Sequence, residues 1–127
     1  MELKSISPMR PMIPADISIF TSGDNNNTSI KENTINNSSG YGIYFRISGN
    51  DNSSTLESNI VETSFNNGFD IDIFGTNNTT KLISNKVKNT DVDGFNIRTD
   101  FDNTLNLDLN TVDNWGEDDF DVSVIDN

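Results

Sequence analysis

The chain of 127 residues contains neither cysteine nor histidine. Without cysteine it can form no disulfide framework, and without either residue it lacks the usual ligands of a zinc centre. A Ser-His-Asp triad and a Cys-His pair are excluded for the same reason. The sequence therefore excludes many common types of catalytic site.

Basic residues and long apolar runs are also scarce. Eight Lys and Arg face 20 Asp and Glu, which gives a formal net charge of −12 and a pI near 4.1. Such a charge repels phosphate backbones and anionic bilayers, so we expect no nucleic-acid partner and no membrane insertion. No run of 18 apolar residues and no charged-then-apolar leader occurs, so the sequence predicts neither a spanning helix nor a cleavable signal.

One unit recurs along most of the chain. An asparagine followed two residues later by Ile or Val returns at intervals of 26, 26 and 25 residues, at Asn33, Asn59, Asn85 and Asn110. Nine residues after each of the first three comes a glycine that opens an alternating stretch: GIYFRI, GFDIDI and GFNIRT, with DFDVSV in that place in the fourth unit. Three residues before each asparagine lies an aliphatic residue: Ile30, Leu56, Leu82 or Leu107. Each unit therefore holds three apolar stretches in fixed register.

These three stretches predict three short strands per unit. The glycine-led stretch alternates with period two, as in a strand with one buried face, and the other two are short and bounded by Asn, Ser, Thr and Gly. Because one strand cannot bury its apolar face alone, equivalent strands of successive units must pair in parallel. The sequence therefore predicts an all-β fold, a single-stranded parallel β-helix with three sheets and about four to five coils.

The predicted core follows from the same pattern. In the first sheet the inward residues are Ile43, Phe45, Ile47, Phe69, Ile71, Ile73, Phe95, Ile97, Phe120, Val122 and Val124. The second sheet contributes Leu56, Leu82 and Leu107, and the third Ile35, Val61, Val87 and Val112.

The repeat N-x-[IV], an Asn/Ser-rich turn and G-[IF]-x-[FI] resembles the right-handed β-helix repeat of pectate-lyase-like proteins, polygalacturonases and bacterial surface β-helices. The resemblance covers residues 16–127, and that superfamily includes enzymes, binders and adhesins. It implies a right-handed β-helix. It also implies a ladder of stacked side-chain amides at the bend between the second and third sheets, formed by Asn33, Asn59, Asn85 and Asn110.

The first 15 residues differ from the repeat. All three prolines, at positions 8, 11 and 14, lie there, and proline limits both helix formation and ladder pairing. We expect residues 1–15 to form an irregular lead-in or an incomplete first coil, and residues 16–127 to form one β-helix domain.

Outward positions of the first sheet form two columns with candidate binding residues. The first contains Tyr44, Asp70, Asn96 and Asp121, and the second Arg46, Asp72, Arg98 and Ser123. One interpretation is an ion-pair ladder in which Arg46, Asp72 and Arg98 alternate in sign. The other comes from the resemblance to pectate lyases: Asp70 and Asp72 would hold calcium against a uronate, and Arg98 would act as the base. Tyr44 is the preferred residue for contact with a sugar ring.

A second candidate site is acidic. Residues 91–127 hold eleven acids and one base, Arg98. The segments NTDVDGFNI and WGEDDFDV resemble the N-T-D and D-D signatures of polygalacturonases, which implies catalytic carboxylates among Asp91, Asp93, Asp118 and Asp119. Val92 and Asp93 come between Asp91 and Gly94, so Asp93 is the alternative to Asp91 for the motif's place. The family's histidine and Arg-x-Lys motifs are missing.

Two further interpretations apply to the same acids. Asp91, Asp93, Glu117, Asp118 and Asp119 are hard oxygen ligands suited to Ca²⁺. Alternatively they form a solvated acidic rim that keeps an open coil end soluble.

The sequence thus predicts a structural, adhesive or glycan-binding β-helix of the cell surface or extracellular space, more consistent with a non-enzyme than an enzyme. The rival hypothesis is a Ca²⁺-dependent polyuronate lyase, a polygalacturonase-like hydrolase, or an inactive remnant of one. The expected partner is a polysaccharide or another glycan. A third hypothesis is self-association through stacked coil ends.

Overall fold

The protein is a parallel β-solenoid of about four turns, as the sequence predicts. The structure, a computed structural model, describes residues 15–125. The predicted lead-in falls outside this range except for Ala15, which begins β1. Within the described residues every element is a β-strand, and each turn of the solenoid contributes one strand to each of three sheets.

Every sheet is parallel, with strands of successive coils as neighbours. The first sheet contains β1 (Ala15–Ser22), β4 (Tyr41–Ser48), β7 (Phe69–Phe74), β10 (Phe95–Asp100) and β13 (Phe120–Ile125). The second contains β2 (Asn27–Lys31), β5 (Ser53–Glu57), β8 (Thr79–Ile83) and β11 (Thr104–Asp108). The third contains the two-residue strands β3 (Thr34–Ile35), β6 (Ile60–Val61), β9 (Lys86–Val87) and β12 (Thr111–Val112).

The strand register reproduces the sequence period. Ile43 pairs with Phe69 and Phe69 with Phe95, an offset of 26 residues, whereas Phe95 pairs with Phe120, an offset of 25. Equivalent side chains therefore stack directly above one another. Three of them form a column of parallel rings, with centroids 4.6 Å apart between Phe69 and Phe95 and 4.8 Å apart between Phe95 and Phe120.

The core is confirmed in the middle coils and incomplete at the C-terminal coil. The predicted inward residues from Ile43 to Ile97 are fully buried. Leu107, Val122 and Val124 keep the predicted register, but they are 41%, 43% and 60% exposed. The prediction that they are buried is wrong, because no later coil covers them within the described residues.

The asparagine ladder is confirmed. The side-chain amide nitrogens of Asn33, Asn59 and Asn85 each donate to Oδ1 of the asparagine one coil later, over 2.9 Å. Each backbone N–H at these positions donates to the same oxygen. The residue before each rung has a φ between 54° and 56°, so the chain turns sharply there. The ladder therefore satisfies backbone groups that this turn would leave unpaired.

A second ladder was missed by the sequence analysis. It lies at the bend between the first and second sheets, where Asn26 Nδ2 donates to Asn52 Oδ1 and Asn52 Nδ2 to Asn78 Oδ1, both over 3.0 Å. Asn103 Oδ1 continues the column by accepting the backbone N–H of Asn78 over 2.9 Å. These four asparagines recur at intervals of 26, 26 and 25 residues, as the first ladder does, and this spacing is the signal that could have identified them.

Candidate functional site

The strongest candidate site lies on the solvent side of the first sheet, called here the outer face. The pairing of β4, β7, β10 and β13 confirms both predicted columns: Tyr44, Asp70, Asn96 and Asp121 in one, and Arg46, Asp72, Arg98 and Ser123 in the other. The predicted binding residues are thus neighbours on one surface.

Two carboxylates on this face are almost completely buried. Asp70 is 2% exposed and Asp72 is 3% exposed, although both occupy outward positions. Asp70 Oδ1 accepts hydrogen bonds from Asn67 Nδ2 at 3.0 Å and from Asn96 Nδ2 at 2.8 Å. Asp72 Oδ2 accepts one from the Tyr44 hydroxyl at 3.0 Å. The outer face is therefore a hydrogen-bonded network of buried side chains rather than a row of solvated charges.

Arg98 pairs with both carboxylates. Its Nε lies 2.7 Å from Asp72 Oδ1, and its Nη2 lies 3.7 Å from Asp70 Oδ2. Asp72 Oδ1 accepts no hydrogen bond of good geometry, so the contact with Nε is an ion pair without an aligned N–H. The Arg98 side chain as a whole remains 45% exposed.

The predicted ion-pair ladder is only half present. Asp72 pairs with Arg98 as expected, but within the described residues Arg46 makes no ion pair. Its guanidinium carbon lies 4.9 Å from the centroid of the Phe74 ring, which is a cation–π contact. The second oxygen of Asp72 accepts the Tyr44 hydroxyl instead, and Phe74 offers Arg46 an alternative partner.

The titration behaviour of this network follows from burial. Burial raises the pKa of Asp70, and nearby Asp72 adds to the rise, while Asn67, Arg98 and Asn96 oppose it. Burial alone would lower the pKa of Arg98, but Asp72 and Asp70 outweigh it and raise that pKa. A guanidinium held by two carboxylates is a poor general base, because it must first lose a more tightly held proton.

Aromatic rings form one edge of the outer face. The Tyr41 and Tyr44 rings are stacked, with centroids 5.9 Å apart and planes inclined by 27°, and the Phe20 ring meets Tyr44 edge-on at 5.4 Å. Burial raises the pKa of both tyrosine hydroxyls, with Asp70 the next cause for Tyr41 and Asp72 for Tyr44. The sequence analysis missed Phe20, although it lies one period before Arg46 in an outward column.

The acidic candidates occupy the edge where each coil enters the first sheet. Asp93 is buried, and its Oδ1 accepts the backbone N–H of Asp118 at 3.1 Å. Asn67 Oδ1 accepts the backbone N–H of Asp93 over the same distance, so Asn67, Asp93 and Asp118 form one column. Asp93 rather than Asp91 therefore lies opposite Asp118. The carbonyl of Asp91 lies beside Gly116 instead, where any side chain at Gly116 would collide with it.

The other acids of this edge are exposed. Asp91, Glu117, Asp118 and Asp119 face solvent, and Asp119 Oδ1 accepts its neighbour's N–H, from Phe120, at 3.0 Å. Burial raises the pKa of Asp93; the hydrogen bond from Asp118 opposes this, while the charges of Asp121, Glu117 and Asp118 add to it. Among residues 15–125, no three acidic side chains come together in an arrangement suited to a metal ion. Calcium binding at this edge stays a prediction.

Comparison of the chain with protein-family models, with curated sequences and with solved structures found no match. Within the described range, no helix has the length and apolar character needed to cross a membrane.

Proposed function

We propose that the protein is a glycan-binding and structural β-helix that acts at the cell surface or outside the cell, with the outer face as its binding surface. The observation that carries this proposal is the aromatic edge of Tyr41 and Tyr44, fixed from below by the hydrogen bond from Tyr44 to buried Asp72. Preorganised aromatic rings beside polar groups suit the apolar faces and hydroxyls of sugar rings.

The repetition of the sheet supports a linear ligand. Equivalent outward residues lie one strand apart, which is about 4.8 Å, so successive coils offer similar contacts along the solenoid axis. Such a surface can engage several units of one chain at once. Asn96 and the two exposed guanidinium groups of Arg46 and Arg98 provide hydrogen-bond donors within this area.

Direct binding measurements test the proposal. Isothermal titration against oligosaccharides of neutral, amino and uronic sugars should give saturable binding with at least one class, and Tyr44→Ala should lower that affinity by about tenfold or more, as expected for loss of an aromatic stacking contact. Phe101→Ala is the matched control, because Phe101 is exposed in the turn after β10. Equal losses of affinity in the two variants would show that Tyr44 is not part of the binding surface.

The second proposal is a pectate-lyase-like enzyme, either a Ca²⁺-dependent polyuronate lyase or a polygalacturonase-like hydrolase. The observation in its favour is the pairing of buried Asp93, whose pKa is raised, with exposed Asp118. The ion pairs of Arg98 oppose the lyase form, since they raise the pKa of the proposed base.

Scission assays distinguish the two proposals. Polygalacturonate and alginate are incubated with the protein in Ca²⁺ and in chelator, and chain length is followed. The binding proposal expects no scission above background. Scission that disappears in both Asp93→Asn and Asp119→Asn would replace it with the enzymatic proposal.

A further inference from the structure

The charge of the outer face restricts which glycan it can accept. From β4 to β13, the outward side chains include four carboxylates, Asp70, Asp72, Asp100 and Asp121, against two guanidiniums, Arg46 and Arg98. The entry edge adds five more acids: Asp91, Asp93, Glu117, Asp118 and Asp119. The carboxylates dominate even where they are neutralised in part. A polyanionic chain laid along this face would therefore meet net repulsion.

The two arginines do not reverse this balance. Arg98 is shared between Asp70 and Asp72, and the positive charge of Arg46 lies over the electron-rich face of Phe74. Neither guanidinium is an unoccupied anion site. A uronate reaching Arg98 would have to compete with two carboxylates that are already in place and almost completely buried.

An independent observation concerns Asp72. Its Oδ1 is buried and, within the described residues, its close polar contact is the ion pair with Arg98 Nε at 2.7 Å. Because this oxygen is enclosed, a ligand does not reach it directly, and the Asp72 carboxylate acts on a ligand through its charge and through Tyr44 and Arg98, which it holds in place. This oxygen lies in the column beside Tyr44, whose hydroxyl bonds to the other oxygen of the same carboxylate.

We infer that the outer face binds a glycan with free amino groups, whose rings stack on Tyr41 and Tyr44 and whose ammonium groups bind at the carboxylate columns. This inference rests on the proposed glycan-binding function and names its ligand class. An ammonium group supplies three N–H donors and a positive charge, which match the excess of carboxylates on the face.

Two oligosaccharides of equal length provide a matched pair for the test. Oligomers of glucosamine and of N-acetylglucosamine share the same backbone, but only the first carries an ammonium group at a mildly acidic pH. Titration calorimetry with the intact protein should show the glucosamine oligomer binding at least about tenfold more tightly, and this preference should shrink in salt as Coulomb attraction is screened.

A pair of charge variants locates the effect. Asp121→Asn introduces the residue that Asn96 already provides one coil earlier, so the fold should tolerate it. It should lower the preference for the glucosamine oligomer severalfold, because it reduces the affinity for that oligomer more than the affinity for the N-acetylated one. Asp108→Asn, an exposed acid on β11 of the second sheet, removes the same charge elsewhere and should leave both affinities unchanged.

The outcomes separate this inference from the proposed function. Equal affinity for the two oligomers would overturn the inference and leave glycan binding in place. A preference for oligogalacturonate, with or without Ca²⁺, would also overturn it and favour an acidic ligand. If none of the oligomers binds, both the inference and the proposed function fail.

Discussion

The middle coils and the C-terminal coil have the same sequence pattern but differ in burial. Ile97 and Leu82 are fully buried, whereas Val122 and Leu107, their partners one coil later, are 43% and 41% exposed. All four occupy inward positions of equivalent strands. In this fold the position along the strand determines the direction in which a side chain points, while the next coil determines whether it is buried.

Replacement of a stacked phenylalanine should reveal the largest difference in stability between the middle coils and the C-terminal coil. Phe95 lies between Phe69 and Phe120, so Phe95→Ala should lower the free energy of unfolding by about 3–5 kcal/mol. Phe120→Ala should cost less than half as much, because within the described residues Phe120 stacks on one side only. Urea denaturation followed by circular dichroism measures both losses. Equal losses would contradict the contribution assigned to the covering coil.

The asparagine ladder provides the second test. Asn85 is buried, and its Oδ1 accepts bonds from the backbone and side chain of Asn59 at 3.0 and 2.9 Å. Asn85→Ala leaves those donors buried and unpaired, so we expect a loss of about 2–4 kcal/mol.

Asn110→Ala is the matched variant in the C-terminal coil. Asn110 accepts equivalent bonds from Asn85, but it is only partly buried, so water can replace the missing oxygen. We expect a loss of about 1 kcal/mol, measured in the same way. A loss as large as that of Asn85→Ala would show that water does not reach this rung.

The smallest expected change in stability concerns Asp93, which joins the middle coils to the C-terminal coil through its hydrogen bond with Asp118. Its pKa is raised in the folded protein, so its contribution to stability is present below the unfolded pKa of about 3.9 and is lost as pH rises through the folded value. Asp93→Asn keeps an oxygen for the N–H of Asp118, as Asn67 does for Asp93. The variant should therefore be more stable than the parent at pH 7, by up to about 1 kcal/mol, and equal to it near pH 3.

Thermal denaturation between these two pH values measures that difference. Asp102→Asn serves as the control, since Asp102 is exposed in the turn after β10. A stability gain that persists at low pH, or that appears equally in the control, would exclude the titration of Asp93 as its cause.

The sequence was sufficient for the fold because the repeat leaves little freedom. Asn59 and Asn85 mark equivalent turns of two successive coils, and this fixes the register between those coils. Phe69 and Phe95, each ten residues after its asparagine, therefore occupy equivalent inward positions. Residues one period apart in the sequence are thus neighbours in adjacent coils.

The candidate site was predictable only in part. Alternation placed Asp70 and Asp72 outward, but it could not show that they are buried, because their cover depends on the side-chain conformations of neighbours such as Tyr44 and Arg98. Whether Arg46 contacts Asp72 or Phe74 likewise depends on which side-chain conformation is lower in free energy. Residue spacing alone does not predict these side-chain conformations.

The 26-residue offset between β4, β7 and β10 has a consequence for how chains of this type can change in length. Duplication or deletion of one whole period, such as residues 59–84, would join equivalent backbone positions and preserve the side of the sheet on which each side chain lies. A deletion of one residue within β7 would move the side chains beyond it to the opposite face. The solenoid is therefore open to lengthening in whole coils, and each added coil would extend the outer face by one row.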